Sequence, residues 1–326
     1  MPLNVDYVGR LDDIIEPAVE YLSQPVDLFD RQHLVVPTAG VKAWLMPELA
    51  KHLGASGKHD GIVANVHVDY PGALSKFLLP KQNNQNDPWL IERLTFAVLA
   101  VITTNPAYSE IIKRSGGPLL AARAIADRFD RYHVRRPAMI REWEKEKEIA
   151  VLSPTANDDV LGGHRVIKSL SPDDKWQLDL WRAVRKRIGE PSPPARQRQP
   201  NDAIPTQLLV AGLQSLSLHQ IEVLQHLAEV CDVHVLLVHP SAPLQQRWAN
   251  TTPVTPGLAP LRSDTEIPED ADPLVYAWLR GTHETQTLLA SQGITSTHTT
   301  RPQTTPADNL LGRLQHVVNQ TLIATP

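Results

Sequence analysis

The segment Gln207–His239 constrains the fold of this chain more than any other. Its first apolar run ends at Gly212, and Ser217 then stands where a side chain can cap a helix. The apolar face of that helix carries Leu218, Ile221 and Leu224. A second apolar run, VHVLLVH, completes the segment. The order of strand, helix and strand predicts a βαβ crossover between two parallel strands.

Short apolar runs in other parts of the chain fit the same sheet. The predicted strands are Leu3–Val8, Leu34–Pro37, Ile62–Val68, Leu208–Ala211 and Val233–His239. Three stretches rich in Pro, Thr, Ser or Gln have no apolar periodicity and are predicted to be loops. They are Glu190–Pro205, Asn250–Asp270 and Gly293–Asp308.

Between Pro88 and Gly189 the sequence shows helical patterns and no obvious strands. One predicted helix places Ile125, Phe129 and Tyr132 on one face, and another begins at Ser171-Pro172-Asp173-Asp174. We therefore predict an α/β fold in which residues 1–87 and 200–326 form one discontinuous domain with a parallel sheet. Residues 88–199 are predicted to form an inserted helical subdomain.

Composition excludes several classes of protein. The apolar fraction of 42% in 326 residues is typical of a globular chain, and the single cysteine, Cys231, rules out an internal disulfide. The run Leu94–Ile102 is too short to span a bilayer, and the N-terminus lacks a signal pattern. We predict a cytoplasmic protein without membrane contact.

The turn after the predicted strand Leu34–Pro37 is where a nucleotide-binding protein would hold phosphate. Here Gly40 is the one glycine of the turn, and Lys42 is followed by alanine and tryptophan instead of a hydroxyl residue that binds Mg²⁺. An ordinary strand–helix turn capped by Thr38 explains these residues more simply. The sequence therefore predicts no ATP hydrolysis by this chain.

Nuclease and metal chemistry are also poorly supported. Asp173-Asp174-Lys175 has the short acid–lysine pattern of some nucleases, but the acids also suit the start of a helix. Histidines stand near acids in His59-Asp60 and His67-Val68-Asp69, without the spacing of a metal site. We predict no catalytic residues and no metal ligands.

Basic residues are concentrated in the predicted insertion and in the loop after it. They are Arg123, Arg128, Arg131, Arg135, Arg136, Arg182, Arg185, Lys186, Arg187, Arg196 and Arg198. Interleaved aromatic residues are Tyr132, Trp143, Trp176 and Trp181. Together they would suit a groove that follows a phosphate backbone and stacks bases. The alternative is a solvated arginine face with the aromatic residues in the core.

Several segments, read in order, resemble the N-terminal part of the RecC family, the gamma subunits of RecBCD helicase–nucleases (exodeoxyribonuclease V). They are Leu34–Leu45, Gly61–Leu78, Ala126–Glu144, Trp176–Trp181, Leu208–Trp248 and the closing DNLLGRLQHVV. RecC proteins are about three times longer, so the resemblance implies an N-terminal fragment. It also implies a RecA-like domain, similar to a superfamily-one helicase with degenerate motor motifs, interrupted by a helical subdomain.

The resemblance further implies a function in double-strand-break repair by homologous recombination. This region would line the channel of the 3′-terminated strand and scan it for Chi, the regulatory sequence. The DNA-binding residues it implies are Thr38, Gly40, Lys42, Tyr70, Lys76, Asp127, Arg128, Asp130, Arg131, Arg136 and Arg196. At the first loop this chain departs from familiar members, because polar reading positions are occupied by Pro37, Ala39 and Ala43.

The implied partners are RecB-like and RecD-like subunits together with single-stranded and double-stranded DNA. Those subunits would supply the ATP and magnesium chemistry, so no cofactor is expected in this chain. Two alternatives remain open at this point: an active ATP-dependent helicase or ATPase, and a protein-interaction module without DNA contact.

Overall fold

The structure is a computed structural model that describes residues 3–27, 30, 32–53, 61–78, 86–151, 167–169, 172–196, 204–249, 273–299 and 309–320. Its centre is a six-stranded sheet in the order β3-β2-β6-β7-β1-β8, with every neighbouring pair parallel. The strands are β1 (Asn4–Val8), β2 (Gln32–Val35), β3 (Val66–Asp69), β6 (Gln207–Leu213), β7 (Asp232–Val238) and β8 (Ser296–Thr299). The predicted α/β class is confirmed. The finer likeness to a RecA domain stays a prediction.

Helices cover both faces of the sheet. The α-helices of this part are α1 (Ile15–Leu22), α2 (Ala39–His52), α8 (Leu218–Ala228), α9 (Ala242–Ala249), α10 (Pro273–Ser291) and α11 (Leu310–Gln320). Short 3-10 helices span Leu11–Ile14 and Pro71–Leu78. Helices α1 and α2 pack on one face, whereas α8, α10 and the second 3-10 helix pack on the other. We call this part the sheet body.

The predicted βαβ crossover is confirmed in detail. Strands β6 and β7 pair in parallel, with Leu208 opposite Val233. The Ser217 hydroxyl accepts a hydrogen bond from the Gln220 amide at 3.3 Å, and the Gln220 side chain accepts one in return from the Ser217 amide. The apolar side of α8 is fully buried, as its periodicity predicted.

The chain between the 3-10 helix Pro71–Leu78 and β6 forms a second layer, which we call the helical insertion. Its α-helices are α3 (Ile91–Thr104), α4 (Ser109–Arg114), α5 (Pro118–Arg135), α6 (Pro137–Glu144) and α7 (Pro172–Ile188). Short 3-10 helices span Pro106–Tyr108 and Pro193–Ala195. These helices share a hydrophobic core of their own, separate from the two cores of the sheet. The exact domain boundaries stay a prediction.

Two expectations about strands are corrected. The insertion also holds an antiparallel pair, β4 (Ile149–Val151) and β5 (Ile167–Ser169), which are too short to show an alternating pattern. Strand β8 lies within Gly293–Asp308, which the sequence predicts to be a loop. Its residues Ser-Thr-His-Thr carry no apolar signal, and pairing with β1 at the sheet edge makes them a strand. Strand β2 also begins and ends two residues before its predicted bounds, Leu34–Pro37.

Candidate nucleic-acid interface

The first group of predicted DNA-binding residues lies at the carboxyl edge of the sheet. Strands β2 and β3 are parallel neighbours, and the Val36 amide donates a hydrogen bond to the Asp69 carbonyl at 3.1 Å. The turn after β2 and Tyr70 after β3 therefore lie side by side, and Tyr70 is 42% exposed. Lys76 belongs to the following 3-10 helix. Its side chain lies outside the described residues.

The turn after β2 has the geometry of an ordinary helix start. The Thr38 hydroxyl accepts a hydrogen bond from the Val41 amide at 3.2 Å and caps α2, as predicted. Gly40 and Lys42 are exposed in the first turn of that helix. With one glycine and a side-chain cap, this turn offers few converging amides to a phosphate chain.

The crevice next to this turn, between β2 and β6, is partly filled by apolar side chains at Gly212. Gly212 has a φ of 83°, and a Cβ added there would lie 3.1 Å from Leu11 Cδ1 and 3.7 Å from Pro37 Cδ. Parallel sheets commonly bind ligands in the crevice where neighbouring strands connect in opposite directions. In this chain Leu11 and Pro37 pack against the β6 backbone at that point.

The second group of predicted residues lies on α5 and at its end. Arg123, Arg128 and Arg135 are exposed, and none of them forms an ion pair with another described residue. Arg131 is exposed too, and its guanidinium lies 2.7 Å from the Asp127 carboxylate one helical turn away. Their spacing puts all four arginines on the outward side of the helix. Arg136, half-buried, caps the end of α5.

The aromatic residues between these arginines form the core of the insertion. Trp143 is 2% exposed and Trp181 is fully buried. Tyr132 is half-buried and donates a hydrogen bond to Gln177 at 2.6 Å. The possibility that Trp143 and Trp181 stack bases is therefore wrong. Their helical spacing turns them inward, away from the arginines.

A cavity of about 430 Å³ lies where the helical insertion meets the sheet body. Pro71, Leu74 and His219 line it from the body, and Trp89, Asp130 and Arg196 line it from the insertion. Most of its wall is apolar. Two predicted DNA-binding residues, Asp130 and Arg196, thus share one cavity, and its rim includes Pro71 next to Tyr70. The turn Thr38–Lys42 does not line the cavity.

Burial and charge shape the acid–base behaviour of the cavity wall. Burial, with further contributions from the nearby carboxylates of Asp127 and Glu92, raises the pKa of Asp130. His133, behind it, accepts a hydrogen bond from Trp181 Nε1 at 3.3 Å through Nε2. Burial lowers the pKa of His133 to about 3. This ring is therefore neutral at physiological pH.

Arg196 forms a two-point ion pair in the cavity wall. Its two terminal nitrogens bind the two carboxylate oxygens of Asp87 at 2.6 and 2.7 Å. Both side chains are about one-tenth exposed. Burial raises the pKa of Asp87, but hydrogen bonds from Arg196 and the Trp89 amide outweigh it, so that the pKa lies below its ordinary value.

The candidate metal and nuclease residues form no recognisable centre. His33 and His67 lie 3.4 and 3.5 Å from the Asp69 carboxylate. Among the described residues, no group of three His, Cys, Asp or Glu is arranged to hold a metal ion. Lys175 pairs with Glu148 at 3.0 Å, whereas the side chains of Asp173 and Asp174 lie outside the description, as do His59, Asp60 and Arg198.

Sequence reasoning missed Asp87 and His133. Asp87 carried no local signal, because its partner lies 109 residues away in the chain. His133 follows Phe129 by four residues on the buried face of α5, so helical periodicity would have placed it inside. Asp87 lies outside the segments that carry the family resemblance.

Fold and surface together define a class: an α/β protein with a parallel sheet and an arginine-bearing helical insertion that packs against α8 of the sheet body. The family model "RecC, N-terminal domain" matches residues 3–321, and the chain belongs to that family.

Relatives with the same assignment come from several bacteria. The chain is 28% identical to the RecBCD enzyme subunit RecC of Mycobacterium tuberculosis over 97% of its own length and 29% of that protein. It is 26% identical to RecC of Mycolicibacterium smegmatis over 97% of the chain and 28% of the relative. It is 23% identical to RecC of Escherichia coli over 73% of the chain and 22% of the relative. The chain therefore spans less than a third of these relatives.

No helix among the described residues is long and apolar enough to cross a membrane.

Proposed function

We propose that this chain is the DNA-binding and scaffold part of a RecBCD-type helicase–nuclease that processes double-strand breaks for homologous recombination. Its partners would be RecB-like and RecD-like subunits, because its relatives are named RecBCD enzyme subunits. The observation that carries the proposal is the face of α5 with Arg123, Arg128 and Arg135, which are exposed without an ion pair to another described residue. Such cations attract a phosphate backbone and release its counterions.

The path of the strand follows from the positions of the predicted residues. A 3′-terminated strand would run along the arginines of α5, pass the mouth of the cavity near Asp130 and reach Tyr70 at the sheet edge. Thr38, Gly40 and Lys42 would contact it beyond Tyr70. The exposed ring of Tyr70 offers the flat surface on which a base stacks.

Scanning for a Chi-like sequence needs donors and acceptors that face base edges. Pro37, Ala39 and Ala43 offer none in their side chains. We assign base reading to Asp127, Asp130 and Arg136 instead, and the exposed Arg128 to the phosphate backbone. Selection from a random single-stranded library should then enrich a sequence whose preference is lost in Asp130→Asn. A library that stays random would contradict base reading, without contradicting backbone binding.

Chemical steps would fall to the partner subunits. The capped turn at Thr38 and the apolar side chains packed at Gly212 argue against an ATPase site in this chain. The proposal therefore assigns ATP and Mg²⁺ to the RecB-like and RecD-like subunits.

The test is fluorescence anisotropy of a labelled single-stranded oligonucleotide at several salt concentrations. We expect weak binding whose affinity falls steeply as salt rises. Salt-independent binding, or none at low salt, would favour the interaction module without DNA contact. Co-purification with RecB-like and RecD-like subunits tests the scaffold role separately.

A further inference from the structure

We propose that Asp87 and Arg196 form a clasp at the base of the helical insertion. In this proposal, Arg196 is a positioning residue that acts on a bound strand by fixing the orientation of the insertion, without contacting the strand. The inference rests on the proposed DNA binding. It replaces the expectation, drawn from resemblance, that Arg196 itself reads the strand.

The first argument is the position of the two residues in the chain. Asp87 lies just before α3, where the chain enters the insertion, and Arg196 directly follows the 3-10 helix Pro193–Ala195, where the chain leaves it. We call these two chain segments the neck of the insertion. A second contact joins them, because Trp89 Nε1 donates a hydrogen bond to the Glu190 carbonyl at 3.2 Å. The clasp therefore joins the two chain segments that connect the insertion to the sheet body.

The second argument is that every nitrogen of the Arg196 guanidinium already donates a hydrogen bond, which engages three of its five N–H groups. Its terminal nitrogens bind Asp87 in two parallel hydrogen bonds, and its Nε donates to the Pro191 carbonyl at 3.1 Å. The planar guanidinium matches a carboxylate in this geometry, which an ammonium group does not reproduce. All three nitrogens of the group thus bind within the neck.

The third argument is electrostatic. A phosphate that approached Arg196 would meet the Asp87 carboxylate, which is only 11% exposed. To take over the guanidinium, the phosphate would leave Asp87 buried without its cation, and an uncompensated buried charge is strongly unfavourable. The exposed arginines of α5 bind phosphate without this penalty.

The clasp has a direct structural link to the proposed strand path. Arg196 and Asp87 line the cavity together with Asp130 from α5 and Pro71 from the body. A looser neck would let the insertion shift across this cavity. The arginines of α5 and Tyr70 would then no longer be held in one arrangement.

Single substitutions on the two sides of the clasp separate positioning from contact. If Arg196 binds phosphate, Asp87→Asn removes a repelling charge and strengthens DNA binding, whereas Arg196→Gln weakens it and lowers the salt slope. If the two form a clasp, both variants weaken binding by about tenfold with the slope almost unchanged. The swap Asp87→Arg with Arg196→Asp should restore affinity. Tighter binding by Asp87→Asn would overturn the proposal.

A readout without DNA keeps the clasp testable even if the proposed function fails. Spin labels at Lys51→Cys on α2 and Thr103→Cys on α3 report the distance between body and insertion. The native Cys231 is buried, and burial raises its pKa to about 11, so it should stay unlabelled. We expect a narrow distance distribution in the parent, a broad one in Asp87→Asn and Arg196→Gln, and a narrow one again in the swap.

The variant Arg196→Lys covers the case in which stronger substitutions do not fold. It keeps the positive charge and loses the two-point contact with Asp87. A clasp predicts a broadened distance distribution and weaker DNA binding. Unchanged distances in Arg196→Lys and in Arg196→Gln would refute the clasp, whatever the DNA measurements give.

Discussion

The two faces of the sheet in the sheet body are packed mainly with aliphatic side chains, whereas the core of the helical insertion contains a cluster of tryptophans among its aliphatic side chains. The body packs leucine, valine and isoleucine on both faces of a parallel sheet. In the insertion, Trp89 and Trp143 pack against Trp181, and arginines lie on the outside. In the body, the edge where parallel sheets usually bind ligands is partly filled by Leu11 and Pro37. Most of the exposed arginines of the described residues lie on the insertion, and we therefore expect stability and binding to respond to different substitutions.

The largest effect is expected from the aromatic core of the insertion. Trp181 is fully buried, stacks on Trp89 with ring centroids 6.1 Å apart and donates a hydrogen bond to His133. Trp181→Ala should lower the free energy of unfolding by about 3–5 kcal/mol. Urea denaturation followed by far-ultraviolet circular dichroism measures it.

The matched control for this prediction is Trp278→Ala. Trp278 lies on α10 and is 58% exposed, so the same truncation should change stability by less than about 0.5 kcal/mol. Equal losses in the two variants would show that the aromatic cluster of the insertion is not the stabilising feature we describe.

A fall in pH should lower the stability of both regions, because each contains buried neutral histidines. Burial lowers the pKa of His239 in the body to about 3 and that of His133 in the insertion to about 3, from an ordinary value of 6.5. The unfolded state takes up protons first as pH falls, so the stability present above pH 6.5 is progressively lost below it. Each histidine should lower the free energy of unfolding by about 2 kcal/mol between pH 7 and pH 5.

The body carries more of this acid sensitivity than the insertion. His239 packs against Tyr7, His298 and Trp248, and burial also lowers the pKa of His298 and that of His283, the latter to about 4. His239→Asn keeps an acceptor near the Ser241 amide and removes one titrating ring. Urea titrations at pH 7 and pH 5 should then differ by about 2 kcal/mol less than in the parent. An unchanged difference would contradict the assignment.

The exposed face of α5 should control binding without affecting stability. Replacing Arg123, Arg128 and Arg135 by Gln should lower the slope of log affinity against log salt by about two, since each single-strand phosphate contact contributes about 0.7. Arg10, Lys51 and Lys145 are also exposed, and their replacement by Gln gives a control with the same change in charge. If the control lowers the slope equally, binding follows net charge and α5 has no special part.

Local signals predicted the parts of the fold that local physics determines. Ser217 and the spacing of Leu218, Ile221 and Leu224 fixed α8, and the capped turn at Thr38 followed from its own residues. Strand β8 could not be predicted in this way, because Ser-Thr-His-Thr becomes a strand through its pairing with β1.

The candidate site was predicted less completely than the fold, for a similar reason. The arginine face of α5 follows from helical spacing within one segment. The cavity, the pair Asp87–Arg196 and the burial of His133 depend on segments far apart in the chain. No spacing rule within one segment reports such contacts.

The smallest effect is expected at the carboxyl edge of the sheet body, at Lys42. This side chain is exposed at the start of α2, where a nucleotide-binding protein would place its phosphate-binding lysine. The turn has one glycine, and Leu11 and Pro37 lie in the neighbouring crevice. We therefore expect Lys42 to bind no nucleotide and at most one phosphate of the DNA strand. Lys42→Gln should therefore lower the salt slope by about 0.7, a third of the effect of the α5 triple variant. Neither parent nor variant should hydrolyse ATP with single-stranded DNA present. ATP hydrolysis by the parent that disappears in Lys42→Gln would show that the active surface lies on the sheet body and not on the insertion.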